Sequence, residues 1–176
     1  MTIPESTSAE AFDRYVPGRL MAASNGWRNL LVRIYSEPRV EKRVIYPAVA
    51  EPRIVRILSG AAVVEEREPG GAWLETRVEA GDFFLTASQS PFEVRWRAIG
   101  PFETMHLYLG MPVFTRAMEE AFQKDQGAMH LRDVSGFKDN FLSALLERLH
   151  KELTSDRKST RLNSSHRSLS RMPSSA

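Results

Sequence analysis

From residue 52 to 109 apolar and polar positions alternate in short runs. Phe92, Val94 and Trp96 alternate with Glu93, Arg95 and Arg97, and Leu74, Thr76 and Val78 with Glu75, Arg77 and Glu79. Period two is the mark of a strand with one face buried. Ser59-Gly60, Pro69-Gly70-Gly71, Ala80-Gly81-Asp82 and Gly100-Pro101 punctuate the runs where the chain must reverse. Upstream, Leu30, Val32 and Ile34 share one face, opposite Asn29, Leu31, Arg33 and Tyr35. Arg43–Tyr46 forms a short strand stopped at Pro47, and Arg53 opens the central run. Short, evenly spaced strands predict an antiparallel barrel or sandwich.

After Leu109 the period lengthens. Pro112 suits the first position of a helix. Val113, Phe114, Ala117, Met118, Ala121 and Phe122 then recur at helical spacing, opposite Arg116, Glu119 and Glu120. A connection at 127–136, with a brief strand at Met129–Leu131, leads to a second helix from about Phe137. Phe137, Phe141, Leu142, Leu145, Leu146, Leu149 and Leu153 make its apolar face. Residues 1–25 are polar and small, and read as an extended lead-in anchored only at Tyr15-Val16-Pro17-Gly18. The expected organisation is a lead-in over 1–25, a β-barrel over 26–110, a helical appendage over 111–155 and a tail over 156–176. The fold class is mainly β with C-terminal helices.

A chain of 176 residues suffices for one domain with a real core. It has no cysteine, so disulfides and thiolate metal sites are impossible. No apolar run approaches a membrane span and the N-terminus lacks the order of a signal peptide, so a cytoplasmic protein is expected. The net charge of +2 belongs to the tail. Residues 156–176 carry five basic side chains and one acid, leaving 19 basic against 21 acidic, a net of −2, for residues 1–155. The body of the chain therefore gives no charge signal for nucleic acid.

The tail reads DRKSTRLNSSHRSLSRMPSSA. It has no apolar period and is rich in Ser and Arg, a composition expected to be disordered. Asp156–His166 resembles, residue for residue, a translated sequencing-library adapter. Ser170–Ala176 resembles its downstream partner, with Arg167–Leu169 where a variable index would fall. The tail is expected to be an artefact, with the natural sequence interrupted near Ser155.

The β-unit resembles a cupin-type barrel. That resemblance implies a metal held by a His-x-His and a Glu, with a later His. Here Gly60 matches the first motif's closing glycine, but Arg53 stands for the Glu and residues 46–49 contain no His. In the second motif Gly81-Asp82 fits, while Ala87, Gln89 and Phe92 replace the proline, glycine and histidine. Imidazole and carboxylate have no substitutes there, so neither a metal nor another cofactor is expected. If ligand positions face inward, Arg53, Val55 and Ile57 line one wall and Phe92, Val94 and Trp96 another, a small-molecule pocket or a filled barrel. His106, on one face with Phe102, Thr104 and Tyr108, is either a ligand contact or an ordinary hydrogen-bonded histidine in a sheet. Glu65, Glu66 and Glu68 precede a Pro-Gly-Gly turn and read as a solvated hairpin tip. No nucleophile elbow or catalytic triad is arguable, and His130 and His150 are assigned no role.

The ordered run GWRNLLVRIYSEP, PRIVRILSGAAVVEERE, AGDFFLT, PFEVRWR, PFETMHLYL, a Pro-started helix and LRDVSGFKDNFLSALLERLHKEL is similar to the N-terminal sensing and dimerisation domain of AraC/XylS-type transcription regulators. The resemblance spans roughly residues 12–153. It implies a barrel that takes up a small effector and helices that pair two subunits. DNA would be bound only through a C-terminal helix-turn-helix domain beyond this chain. The expected ligand contacts are Arg53, Val55, Phe92, Val94, Trp96 and His106; the expected homodimer seam is Leu142, Leu145 and Leu149, against intramolecular packing as the alternative. On this reading the chain is not an enzyme. The alternative function is a free-standing, metal-independent cupin enzyme such as an isomerase.

Overall fold

The computed structural model describes residues 5–87, 89–122 and 132–169, with side chains throughout except at 122 and 156–169. A 3-10 turn at Ala11–Tyr15 precedes strands β1 (Arg19–Ala23), β2 (Leu30–Glu37), β3 (Val40–Tyr46), β4 (Arg53–Arg67), β5 (Leu74–Glu79), β6 (Phe83–Thr86) and β7 (Phe92–Leu109). Helix α1 (Met111–Phe122), strand β8 (Val134–Phe137) and helix α2 (Asn140–Leu169) follow. The mainly antiparallel β architecture with two C-terminal helices is the one the alternating pattern predicts.

The long strands β4 and β7 form one antiparallel ribbon, from Arg53 opposite Tyr108 to Arg67 opposite Glu93. Its pairing slips on both sides of Ser59. There Gly60 and Gly100 hold φ of 83° and 79°, which side-chain-bearing residues resist. The slips divide the ribbon in two. On the Arg53 side β6 pairs with β4, and β2 with β7; β1 and β8 extend those edges. On the Arg67 side β5 pairs with β4, and β3 with β7. The two halves share one core, with Tyr35, Val55, Ile57, Phe84, Phe102 and Tyr108 from the first and Tyr46, Ala62, Val64, Val78, Val94 and Trp96 from the second.

The slip also changes which residues face inward. Arg53, Val55 and Ile57 are buried before it, and Ala62 and Val64 after it. One added residue reverses the parity of everything beyond.

Several expectations need correction. The lead-in is not merely extended. Ser8 accepts backbone hydrogen bonds from Ala11 and Phe12, closing a turn that drives Phe12, 1% exposed, into the core beside Ala9 and Val16. Arg33 clamps this segment through the carbonyls of Ala9 and Glu10 at 3.2 and 2.8 Å, and the Tyr35 hydroxyl donates to Asp13 at 2.7 Å. Phe137 belongs to a strand, not a helix. Gly136 at φ 66° breaks helical geometry, and Phe137 pairs with Phe83, ring against ring at 5.5 Å. The brief strand expected at Met129–Leu131 lies outside the described residues.

By compactness Met1–Lys138 forms one unit and Asp139–Ala176 another. In the second unit Asp139 caps α2, its Oδ1 accepting from the Leu142 amide at 2.8 Å. The backbone of α2 continues to Leu169, where a disordered tail is expected from 156. The missing apolar period removes a packing face, but Arg, Lys, Leu and Ser all tolerate helix, and no Pro occurs between Pro112 and Pro173.

Two glycines separate the roles of φ and space. A Cβ at Gly60 would run into the Pro101 carbonyl, whereas one at Gly70, also at positive φ, would meet open space. Gly70→Ala should cost about 1–2 kcal/mol from conformation alone. Gly60→Ala should cost at least about 3 kcal/mol, because the ribbon must also move. Urea midpoints compare them; equal losses would show that the close approach at Gly60 is unimportant.

Candidate functional site

A cavity of about 70 Å³ lies between the two halves of the barrel. Arg53, Val55, Phe92, Val94, Trp96 and His106, the expected ligand contacts, all border it. So do Glu37, Tyr46, Glu66 and Thr104, which sequence reasoning did not select. Such a volume admits several waters or a compact organic molecule.

The first half supplies a polar wall. Val55 lies opposite His106 and Ile57 opposite Thr104 on β4 and β7, while Tyr35 and Glu37 lie opposite Thr104 and Phe102 on β2 and β7. Glu37, Thr104, His106 and Arg53 thus step diagonally across three strands. Thr104 donates its hydroxyl to Glu37 Oε1 at 2.8 Å and accepts from His106 Nε2 at 3.2 Å. That order places the imidazole proton on Nε2 and leaves Nδ1 with its lone pair. Neither His106 Nδ1 nor Glu37 Oε2 makes a hydrogen bond among the described residues. Burial lowers the His106 pKa well below its ordinary 6.5, helped by the positive charges of Arg53 and Arg33. Burial raises that of Glu37, opposed by the Thr104 hydrogen bond and by Arg53.

Arg53 is 6% exposed and donates to Thr86 Oγ1 at 3.2 Å. Its guanidinium lies 5.0, 5.3 and 5.1 Å from the ring centres of Phe12, Tyr46 and Phe92. Among the described residues it makes no ion pair, so its burial rests on aromatic faces and on the more distant Glu37 and Glu66.

The opposite wall is mostly apolar: Val64, Val94, Trp96 and Phe92, with Tyr46 beside them. Trp96 is fixed by its indole N–H donating to the Pro38 carbonyl at 2.9 Å. Glu66 also faces this interior, correcting the solvated reading at that one position, while Glu68 is exposed. Ser135 donates to Glu66 at 2.7 Å, and burial raises its pKa. The parity change after Gly60 turns it inward. Glu65 faces the other way and pairs with Arg95 through two 2.7 Å hydrogen bonds.

The cupin resemblance raises the question of a metal. Among the described residues no three His, Asp or Glu side chains gather as a metal would require. Arg53 brings a positive charge to the wall where an acidic ligand would stand. These residues do not fit a cupin metal centre.

No family model matches the chain, and no curated protein matches it. Solved structures do. Apo ToxT K231A from Vibrio cholerae strain SCE256 aligns with a TM-score of 0.51 at 13% identity, over 71% of this chain and 48% of ToxT. The Schizosaccharomyces pombe Cnp3 cupin domain aligns at TM-score 0.44 and 8% identity, over 56% of this chain and 68% of that one. Streptomyces albus HEPD, with 2-hydroxyethylphosphonate and Fe(II) bound, aligns at TM-score 0.44 and 16% identity, over 64% of this chain and 25% of HEPD. The chain thus spans about half of ToxT and a quarter of HEPD. At such identities the likeness is one of fold, and the fold is cupin-like. The expectation that the chain is not an enzyme is corrected, because HEPD, described with its substrate, stands among these structures. No helix among the described residues is long and apolar enough to cross a membrane.

Two outcomes follow from the polar wall. A histidine whose folded pKa is depressed costs stability once the unfolded chain can protonate it, so stability should fall as pH drops through 6.5. Glu37, raised in the folded state, acts with the opposite sign at lower pH. His106→Gln should therefore flatten the loss of melting temperature between pH 7 and 5; an unchanged slope would show that His106 protonates freely. Elemental analysis of the purified protein should find iron, manganese and zinc well below one atom per chain, and a near-stoichiometric content would refute the misfit at Arg53.

Proposed function

We propose that the chain is the effector-sensing and dimerisation domain of a bacterial AraC-type transcription regulator, working in the cytoplasm. The observation that carries this reading is the interior cavity, where buried polar groups with unused hydrogen-bonding capacity face an aromatic wall. Burying such groups is costly unless a partner completes them, and a small effector is such a partner. The fold likeness to ToxT, an AraC-family regulator, supports the same reading.

On this reading DNA contact belongs to a helix-turn-helix domain outside these residues, and the net charge of −2 over residues 1–155 agrees. The segment 156–176 would play no part, as its likeness to adapter sequence suggests. Pairing of two subunits would run through α2 at Leu142, Leu145 and Leu149. Leu145 is 44% exposed and Phe141, one turn before it, 76% exposed, an apolar stripe suited to a second copy.

A metal-independent cupin enzyme remains a second reading. The His106–Thr104–Glu37 chain on the cavity wall favours it, since such a chain can hold and pass a proton. Genomic sequence beyond Ser155 separates the two, with a helix-turn-helix domain supporting the regulator and a stop codon the enzyme.

The domain should sediment as a dimer at micromolar concentration, and Leu145→Glu should give a monomer with its melting temperature within a few degrees of the parent. A charge in an apolar seam is poorly tolerated, whereas at an exposed position it is nearly neutral. A wild-type chain that stays monomeric at high concentration would defeat the pairing.

A further inference from the structure

We infer that the cavity ligand is a compact hydroxy acid of about three to six carbons, its carboxylate directed to Arg53 and its hydroxyl donating to Glu37 Oε2 or His106 Nδ1. This rests on the reading of the cavity as an effector pocket.

Three features define the ligand. The first is charge. Arg53 is a buried cation on the cavity wall, stacked among three rings and hydrogen-bonded to Thr86, with no ion pair among the described residues. A planar guanidinium matches the geometry of a carboxylate or a phosphate, and the small cavity suits the more compact carboxylate. The second is the complement of that charge. Glu37 Oε2 and His106 Nδ1 are both buried, both on cavity-lining side chains, and both without a partner. The Thr104 hydroxyl already occupies Glu37 Oε1 and His106 Nε2, so the two remaining atoms are acceptors. Either can take a hydroxyl hydrogen, and a second anionic group placed beside them would be repelled.

The third feature is spacing and size. Arg53 and His106 are diagonal neighbours across β4 and β7, because Val55 is the residue opposite His106. Such neighbours sit about 7–8 Å apart, so a carboxylate and a hydroxyl reach both ends from a short carbon frame. The cavity of about 70 Å³ suits that frame and excludes bulky rings without rearrangement. The remaining carbons would lie against Val64, Val94 and Trp96. Glu66 on the far wall already accepts from Ser135 and makes no such demand.

Calorimetry on the intact protein with 2-hydroxybutyrate and 3-hydroxybutyrate, against butyrate and 2-butanol, tests the assignment. One of the hydroxy acids should bind at least tenfold more tightly than both controls, which lack the hydroxyl or the acid. Arg53→Gln should weaken that hydroxy acid at least tenfold and leave 2-butanol unchanged. At least one of Glu37→Gln and His106→Phe should bring it close to butyrate while butyrate itself keeps its affinity. Circular dichroism checks that each variant is folded, and the comparison on the parent protein stands without them. If butyrate or 2-butanol binds as well as the hydroxy acids, the ligand class is wrong and the pocket reading survives. If none of the four binds and a broad metabolite screen by thermal shift also finds nothing, both fall.

Discussion

The β4–β7 ribbon is the constraint on which the rest of the barrel depends. Fifteen residues of one strand and eighteen of the other are paired over most of their length. A ribbon so long cannot stay flat over a small core, since twisted sheets must coil or fold. Here the slips at Gly60 and Gly100 divide it, and each half recruits its own flanking strands. The close approach of Gly60 to the Pro101 carbonyl leaves no room for a side chain. The same slip reverses the inward parity of β4, so that Glu66 rather than Glu65 reaches the interior. Fold and site chemistry share one local cause.

The two walls of the cavity differ because they descend from different halves of this ribbon. One carries a diagonal of polar side chains, the other mostly aliphatic and aromatic ones with Glu66 among them. Arg53 joins them, a cation held by the faces of Phe12, Tyr46 and Phe92. Phe12 comes from the N-terminal segment, which Arg33 and Tyr35 fasten to β2. The segment is therefore part of the core and part of the environment of Arg53. Each cation–π contact contributes about 0.5–2 kcal/mol, so the set offsets part of the cost of burying the guanidinium.

Much of this was legible in the alternation of the sequence. Val94 and Trp96 sit on a strand whose period two is clean, and the inward direction of these residues and of Val55 follows from the match to cupin ligand positions. Glu37 was hidden because it ends a strand at a Ser-Glu-Pro break that reads as loop. Glu66 was hidden by the parity change, which period alone does not reveal, although Gly60 marks the place. Phe12 lies in a polar, small-residue stretch where nothing signals burial; only tertiary packing makes it a core residue. Phe137 misled in the other direction, since its spacing to Phe141 fits a helix while Gly136 and pairing with β6 make it strand. Over 156–169 the absence of an apolar period spoke to packing, and backbone propensity decided the helix.

The central claim is that the polar diagonal from Glu37 to Arg53 is completed by a ligand. A crystal structure of the protein grown with 2-hydroxybutyrate or 3-hydroxybutyrate tests it most directly. The account predicts a carboxylate at hydrogen-bonding distance from the Arg53 guanidinium and a hydroxyl at hydrogen-bonding distance from Glu37 Oε2 or His106 Nδ1. An interior closed on itself, with Arg53 paired to Glu37 or Glu66 and the hydroxy acid excluded, would contradict it.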